Sequence, residues 1–134
     1  MKRILVSLST AATITMSGAV SACGVCVEDK VAATYDHAVI TQAKARHQQV
    51  VFVAIDGANV HDVARRITAA ARKVPGVEAK TVRTSASPAA FSFVVARAEP
   101  AERAVAGFRD ALRDPGVQLT LVRIMRDGAL IDPN

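Results

Sequence analysis

Apolar and polar positions along the chain fall into a pattern that occurs twice. The apolar run Val50-Val51-Phe52-Val53-Ala54-Ile55 is followed by a helix-periodic segment, a Pro-Gly turn and the run Thr81-Val82-Arg83. Forty residues later Ala90-Phe91-Ser92-Phe93-Val94-Val95 opens the same order, which closes on Leu121-Val122-Arg123. The turns also match: Arg72-Lys73-Val74-Pro75-Gly76-Val77 against Leu112-Arg113-Asp114-Pro115-Gly116-Val117. Each copy reads strand, helix, turn, strand, and such internal repeats decide architecture.

The first helix is predicted to start at Asn59, a favoured N-cap. Val60, Ala64, Ile67, Ala71 and Val74 then recur at helical spacing. Pro75-Gly76 stops it, because proline cannot continue the hydrogen-bond ladder and glycine tolerates the turn. The second helix is predicted from Pro100, suited to a first turn, with Ala101, Val105, Phe108 and Leu112 as its stripe and Pro115-Gly116 as its stop. The Val-, Phe- and Thr-rich runs suit half-buried strands. Ser85-Ala86-Ser87-Pro88 reads as the turn between the copies.

Two β-α-β units in succession predict an α+β fold, a ferredoxin-like β-α-β-β-α-β sandwich over residues 49–134. Both helices would cover one face of a four-stranded antiparallel sheet. Val51, Val53, Ile55, Phe91, Phe93, Val95, Leu119 and Leu121 are the expected core. Asp127-Gly128 reads as a turn, with Ala129 to Ile131 as a short edge segment. Upstream, Val27 to Gln48 holds no Gly or Pro. Acids stand at its start and bases at its end, as a helix dipole favours. An extra N-terminal helix from Val27 to Arg46 is therefore expected, with Val27, Val31, Tyr35 and Ala38 as a stripe that docks on the domain or on a partner.

The start of the chain changes the picture. Lys2 and Arg3 precede an apolar stretch from Ile4 to Val20, and Val20-Ser21-Ala22 places small residues before a cut. Residues 1–22 read as a bacterial signal peptide. The stretch is short and polar beside the ~20 apolar residues that a membrane span needs. The expected location is the periplasm or cell envelope. Without Lys2 and Arg3, fifteen basic residues face twelve acids, so the net charge falls from +5 to +3. The bases are scattered, and with no Trp, one Tyr and four Phe there is little for bases to stack on. This composition argues against nucleic acid as a partner.

Cys23 and Cys26, in Ser-Ala-Cys-Gly-Val-Cys, are the only cysteines. Exported cysteines usually form disulfides, but a bridge closing so short a loop at a new N-terminus would stabilise little. Three uses remain open. As a Cys-x-x-Cys pair, Cys23 and Cys26 could hold a soft metal ion such as copper(I); zinc would need two more ligands, for which His37, His47 and His61 are the candidates. As a redox pair, Cys-Gly-Val-Cys before a helix resembles the thioredoxin active-site layout, although a leader rather than a strand precedes it. As a lipobox, Val20-Ser21-Ala22-Cys23 would have Cys23 acylated and the chain anchored to a membrane. The lipid excludes the other two uses, because a thioether-linked Cys23 has no free thiol.

The order of elements and the Val-Pro-Gly-Val turn, over Gln49 to Met125, resemble the heavy-metal-associated domain family. In that family the loop after the first strand carries Gly-Met-x-Cys-x-x-Cys, which binds copper(I) or another soft ion. The matching stretch here is Gly57-Ala58-Asn59-Val60-His61-Asp62-Val63. Its glycine is kept, but valines stand at both cysteine positions, so the resemblance implies the fold without the loop's metal site.

Catalytic signatures are missing: no Gly-rich phosphate loop, no Gly-x-Ser-x-Gly elbow, no His-Glu-x-x-His. Asp56, Asp62, Asp110 and Asp114 read as caps and solvated charges. Asp36-His37 and His61-Asp62 are sequence neighbours whose side chains diverge on a helix. The sequence therefore describes a non-enzymatic exported binding module, with soft-metal handling through Cys23 and Cys26. A lipoprotein anchored at Cys23 and a thiol–disulfide redox protein are the alternatives, and a protein partner or homodimer through a sheet face or edge stays open.

Overall fold

The computed structural model describes residues 23–57 and 59–133, with the backbone alone at 23–26 and 60; the expected signal peptide, 1–22, lies outside the described residues. In chain order the elements are α1 (Cys23–Ala33), α2 (His37–Ala45), β1 (Gln49–Gly57), α3 (Val60–Ala70), β2 (Arg83–Ala86), β3 (Ala89–Val95), α4 (Ala101–Leu112), β4 (Val117–Arg126) and β5 (Ala129–Ile131). The fold is α+β. One five-stranded sheet runs β2-β3-β1-β4-β5, and every neighbouring pair is antiparallel.

Strand β1 is central and buried from Gln49 to Ile55. Its unbroken apolar run is the signature of a strand covered on both faces. Val51, Val53 and Ile55 meet Phe91, Phe93, Val95 and Leu119 under α3 and α4, as expected. Phe91, Phe93 and Phe108 form an aromatic cluster there, with ring centroids 4.9–5.7 Å apart. The α4 stripe is the predicted one, extended by Ala104.

The α3 stripe is corrected. Val63, Ile67, Ala70, Ala71 and Val74 are buried, whereas Ala64 is only half-buried. The difference lies at the start of the helix, where Val63, four residues before Ile67, takes the core place expected of Ala64; a 3-10 turn at Ala71–Lys73 closes the end. Asn59 does stand before α3, but in the left-handed conformation (φ 60°) and without a side-chain cap bond. Its carbonyl accepts from the Asp62 and Val63 N–H groups instead.

The single helix expected from Val27 to Arg46 is also corrected, because the chain breaks at Thr34–Asp36. The Thr34 hydroxyl donates to the Lys30 carbonyl, and the Thr34 carbonyl accepts from Ser92 Oγ at 2.8 Å. Asp36 then caps α2, accepting from the Ala38 and Val39 N–H groups. The break lets both short helices lie on the sheet face opposite α3 and α4. Val31, Val39, Ile40 and Ala43 are buried there against Val50, Phe52, Ala54, Val94, Val122 and Met125. Each fully buried large aliphatic side chain contributes about 1.5–3 kcal/mol, so α1 and α2 form a third layer rather than a loose arm. Of the expected stripe, Val27 and Val31 pack inward while Tyr35 and Ala38 face out.

The two repeats differ in pairing. Val117 enters β4, whereas its counterpart Val77 makes only an isolated bridge to Val95. Thr81 lies in a 3-10 turn, and β2 begins only at Arg83. The Val94 N–H that a longer β2 would have paired donates to Thr81 Oγ at 2.9 Å, and the Val94 carbonyl accepts from the Glu78 N–H. One buried threonine thus satisfies the backbone group that a strand otherwise would. The turn between the copies is Ser87-Pro88, joined by a cis peptide bond. The expected Asp127-Gly128 turn and edge strand are both present.

Candidate functional site

The described part of helix α1 runs from Cys23 to Ala33, which puts the backbone of Cys23 and Cys26 on one helix. Their side chains lie outside the described residues, and with them the metal, redox and lipid readings. The direction of α1 is set by two contacts. Thr34 is tied to Ser92 near mid-sheet, and Lys30 Nζ lies 4.0 Å from Asp56 Oδ1 at the end of β1. Cys26 precedes Lys30 by one turn, ~6 Å further along the axis. The Cys-x-x-Cys turn thus belongs to the end of the sheet where β1 passes into α3. That is the end carrying Gly57 to Val63, the loop in which the heavy-metal-associated pattern would place its cysteines.

Gly57 has a structural reason to be there. Its φ is +125°, and a Cβ on it would stand 2.1 Å from the Gly116 carbonyl oxygen. His61 and Asp62 are exposed in the first turn of α3, and Asp62 pairs with Arg65 at 3.1 Å. His37 opens α2 and is exposed. His47, with φ 54°, follows α2 and holds Nδ1 3.6 Å from Asp127 Oδ1. Among the described residues no three His, Cys, Asp or Glu side chains gather as a metal site. The three histidines are not brought together.

The carboxylates serve the scaffold. Arg66 bonds Asp114 at 2.7 Å and the Leu112 carbonyl, joining α3 to the end of α4, and this pairing holds the Asp114 carboxyl below its ordinary value. Asp36 is held low chiefly by the Arg83 hydrogen bond (2.7 Å), and also by the Val39 N–H. Asp110 lies on the exposed side of α4.

A further feature escaped the sequence reading. Between α1 and the β4–β5 edge runs an apolar groove of about 410 Å³, lined by Glu28, Val31, Ala32, Tyr35, Arg123 and Leu130. Tyr35 and Leu130, each 48% exposed, are the large exposed hydrophobic side chains among the described residues, and both face this groove. Glu28, Val31, Ala32 and Tyr35 do share one helical face in the sequence, but nothing local couples that face to Arg123 or Leu130.

No described helix is long and apolar enough to cross a membrane. No family model, curated protein or solved structure matches this chain.

Proposed function

We propose that this chain is an exported, non-enzymatic binding module of the ferredoxin-like, heavy-metal-associated type, holding a soft ion such as copper(I) through Cys23 and Cys26. The strand order β2-β3-β1-β4, with α3 and α4 on one face, supports the fold assignment; α1, α2 and β5 are additions to it. The observation that carries the metal reading is the helical backbone across Cys23 to Cys26 in α1. Two positions three apart share one side of a helix. A cut after Ala22 would make this turn a helix N-terminus, which favours thiolate over thiol, and thiolate is the form a soft ion takes. In this reading the thiol pair lost from the β1–α3 loop is supplied from α1 at the same end of the sheet.

The test is a copper(I) titration of the reduced protein against a competing chelator, with intact and N-terminal peptide mass spectrometry of the same preparation. One ion per chain or per dimer is expected, lost in Cys26→Ser. Undiminished binding with both cysteines replaced by serine would sink the proposal. A diacylglyceryl or triacylglyceryl mass on Cys23 would establish the lipoprotein reading in its place. A reversible loss of two mass units, without metal uptake, would point to the redox protein.

A further inference from the structure

Strand β4 carries a register shift opposite Phe52 and Val53: Phe52 pairs with Arg123, but Val53 pairs with Leu121. Without that extra residue, strict alternation from Leu119 and Leu121 would send Arg123 into the α3/α4 core. The bulge moves Arg123 to the opposite face and gives Ile124 to the core. Bulges commonly re-aim a side chain in this way. Here the result is a guanidinium on a mostly apolar groove whose other charged lining residue is Glu28.

We propose that this groove binds a small aliphatic monocarboxylate, its carboxylate on Arg123 and its chain along Val31, Tyr35 and Leu130. Arg123 Nη1 donates to the Val122 carbonyl at 2.7 Å and meets the Asp132 carboxylate at 2.8 Å. Its Nε and Nη2 take no protein acceptor among the described residues. Arginine stays charged at any working pH and presents a fork matched to a carboxylate. Asp132 is 80% exposed on the segment after β5, so the chain already lays one displaceable carboxylate on this group. The volume of about 410 Å³ falls in the range of small-molecule sites. Glu28 stands exposed at the rim, where its charge disfavours an anion and selects against a second carboxylate. This site is independent of Cys23 and Cys26.

The chain has one tyrosine and no tryptophan, so Tyr35 emission reports on the groove directly. The experiment titrates the full chain with sodium decanoate, below its micelle concentration, at neutral pH. A saturable change is expected, weakened about tenfold or more in Arg123→Gln, as loss of a charge-assisted hydrogen bond implies. Asp132→Asn removes the competing carboxylate and should tighten binding; it also tests the site if Arg123→Gln folds poorly. A non-saturating titration would overturn the proposal. So would equal affinity in the wild-type chain and Asp132→Asn, or tighter binding of decylamine that is lost in Glu28→Gln.

Discussion

Under α3 and α4 the sheet sets Phe91 and Phe93 of β3 against Phe108 of α4, beneath two helices with buried apolar stripes. Under α1 and α2 it offers Phe52 among Val50, Ala54 and Val94. Both faces are dry, but they depend on the tertiary structure to different degrees. Helices of 9 to 12 residues, as on both faces, are marginal in water by themselves. Those of the second face are held by anchors from elsewhere in the chain: Ser92 on Thr34, and Arg83 on Asp36. The first face would be recognisable in any arrangement of the repeat. The second exists only because the sheet is already there to receive it.

The contrast can be broken most forcefully at Phe108. Phe108→Ala removes the ring that joins both strand phenylalanines and should cost about 3–5 kcal/mol, read as a loss of midpoint in denaturant with an unchanged slope. Ile40→Ala, on the second face, should cost about 2–4 kcal/mol. Hydrogen exchange distinguishes its mode of action: α1 and α2 amides should lose protection while those of β1 and β3 keep theirs. Loss of protection throughout would make the layers one cooperative unit and erase the distinction drawn here.

The smallest effect is a pH dependence at the start of α2. The Asp36 carboxyl is held below its ordinary 3.8, first by Arg83 and then by the α2 backbone. A carboxylate with a depressed folded value contributes stability that is fully present above the unfolded value and lost as pH falls through the folded one. Acid titration followed by NMR should therefore release the start of α2 in that window, and Asp36→Asn should flatten the response. A release that persists in Asp36→Asn would assign it to another group. Asp114 on Arg66 is the equivalent pair on the first face, and its variant should leave α2 untouched.

Much of the first face was legible. Pro75-Gly76 and Pro115-Gly116 mark helix ends by local chemistry, and the α4 stripe is buried as read. The buried stripe of α3 departed from the reading at its start, where Val63 rather than Ala64 takes the core place beside Ile67, since both stand within one turn of it and the pattern does not choose between them. Leu121 is only half-buried and Ile124 takes a core place, since the bulge between them leaves no mark in the residue pattern. The Cys-x-x-Cys pair was legible as a motif, and the place of its backbone at the β1–α3 end of the sheet was not. That position follows from Lys30 reaching Asp56 and Thr34 reaching Ser92.

By itself the sequence determined the helices, the strands and the stops between them, because period, caps and Pro-Gly turns act within a few residues. Its repeat also determined that the strands form one sheet, with α3 and α4 as partners. Tertiary structure alone decided three things: that the N-terminal segment breaks at Thr34–Asp36, that Thr81 stands in for a strand, and that Arg123 turns from the core to the groove. Each depends on a partner far away in the chain — Ser92 and Arg83, Val94, and β1 across the bulge — and no local pattern carries the address of a distant hydrogen-bond partner.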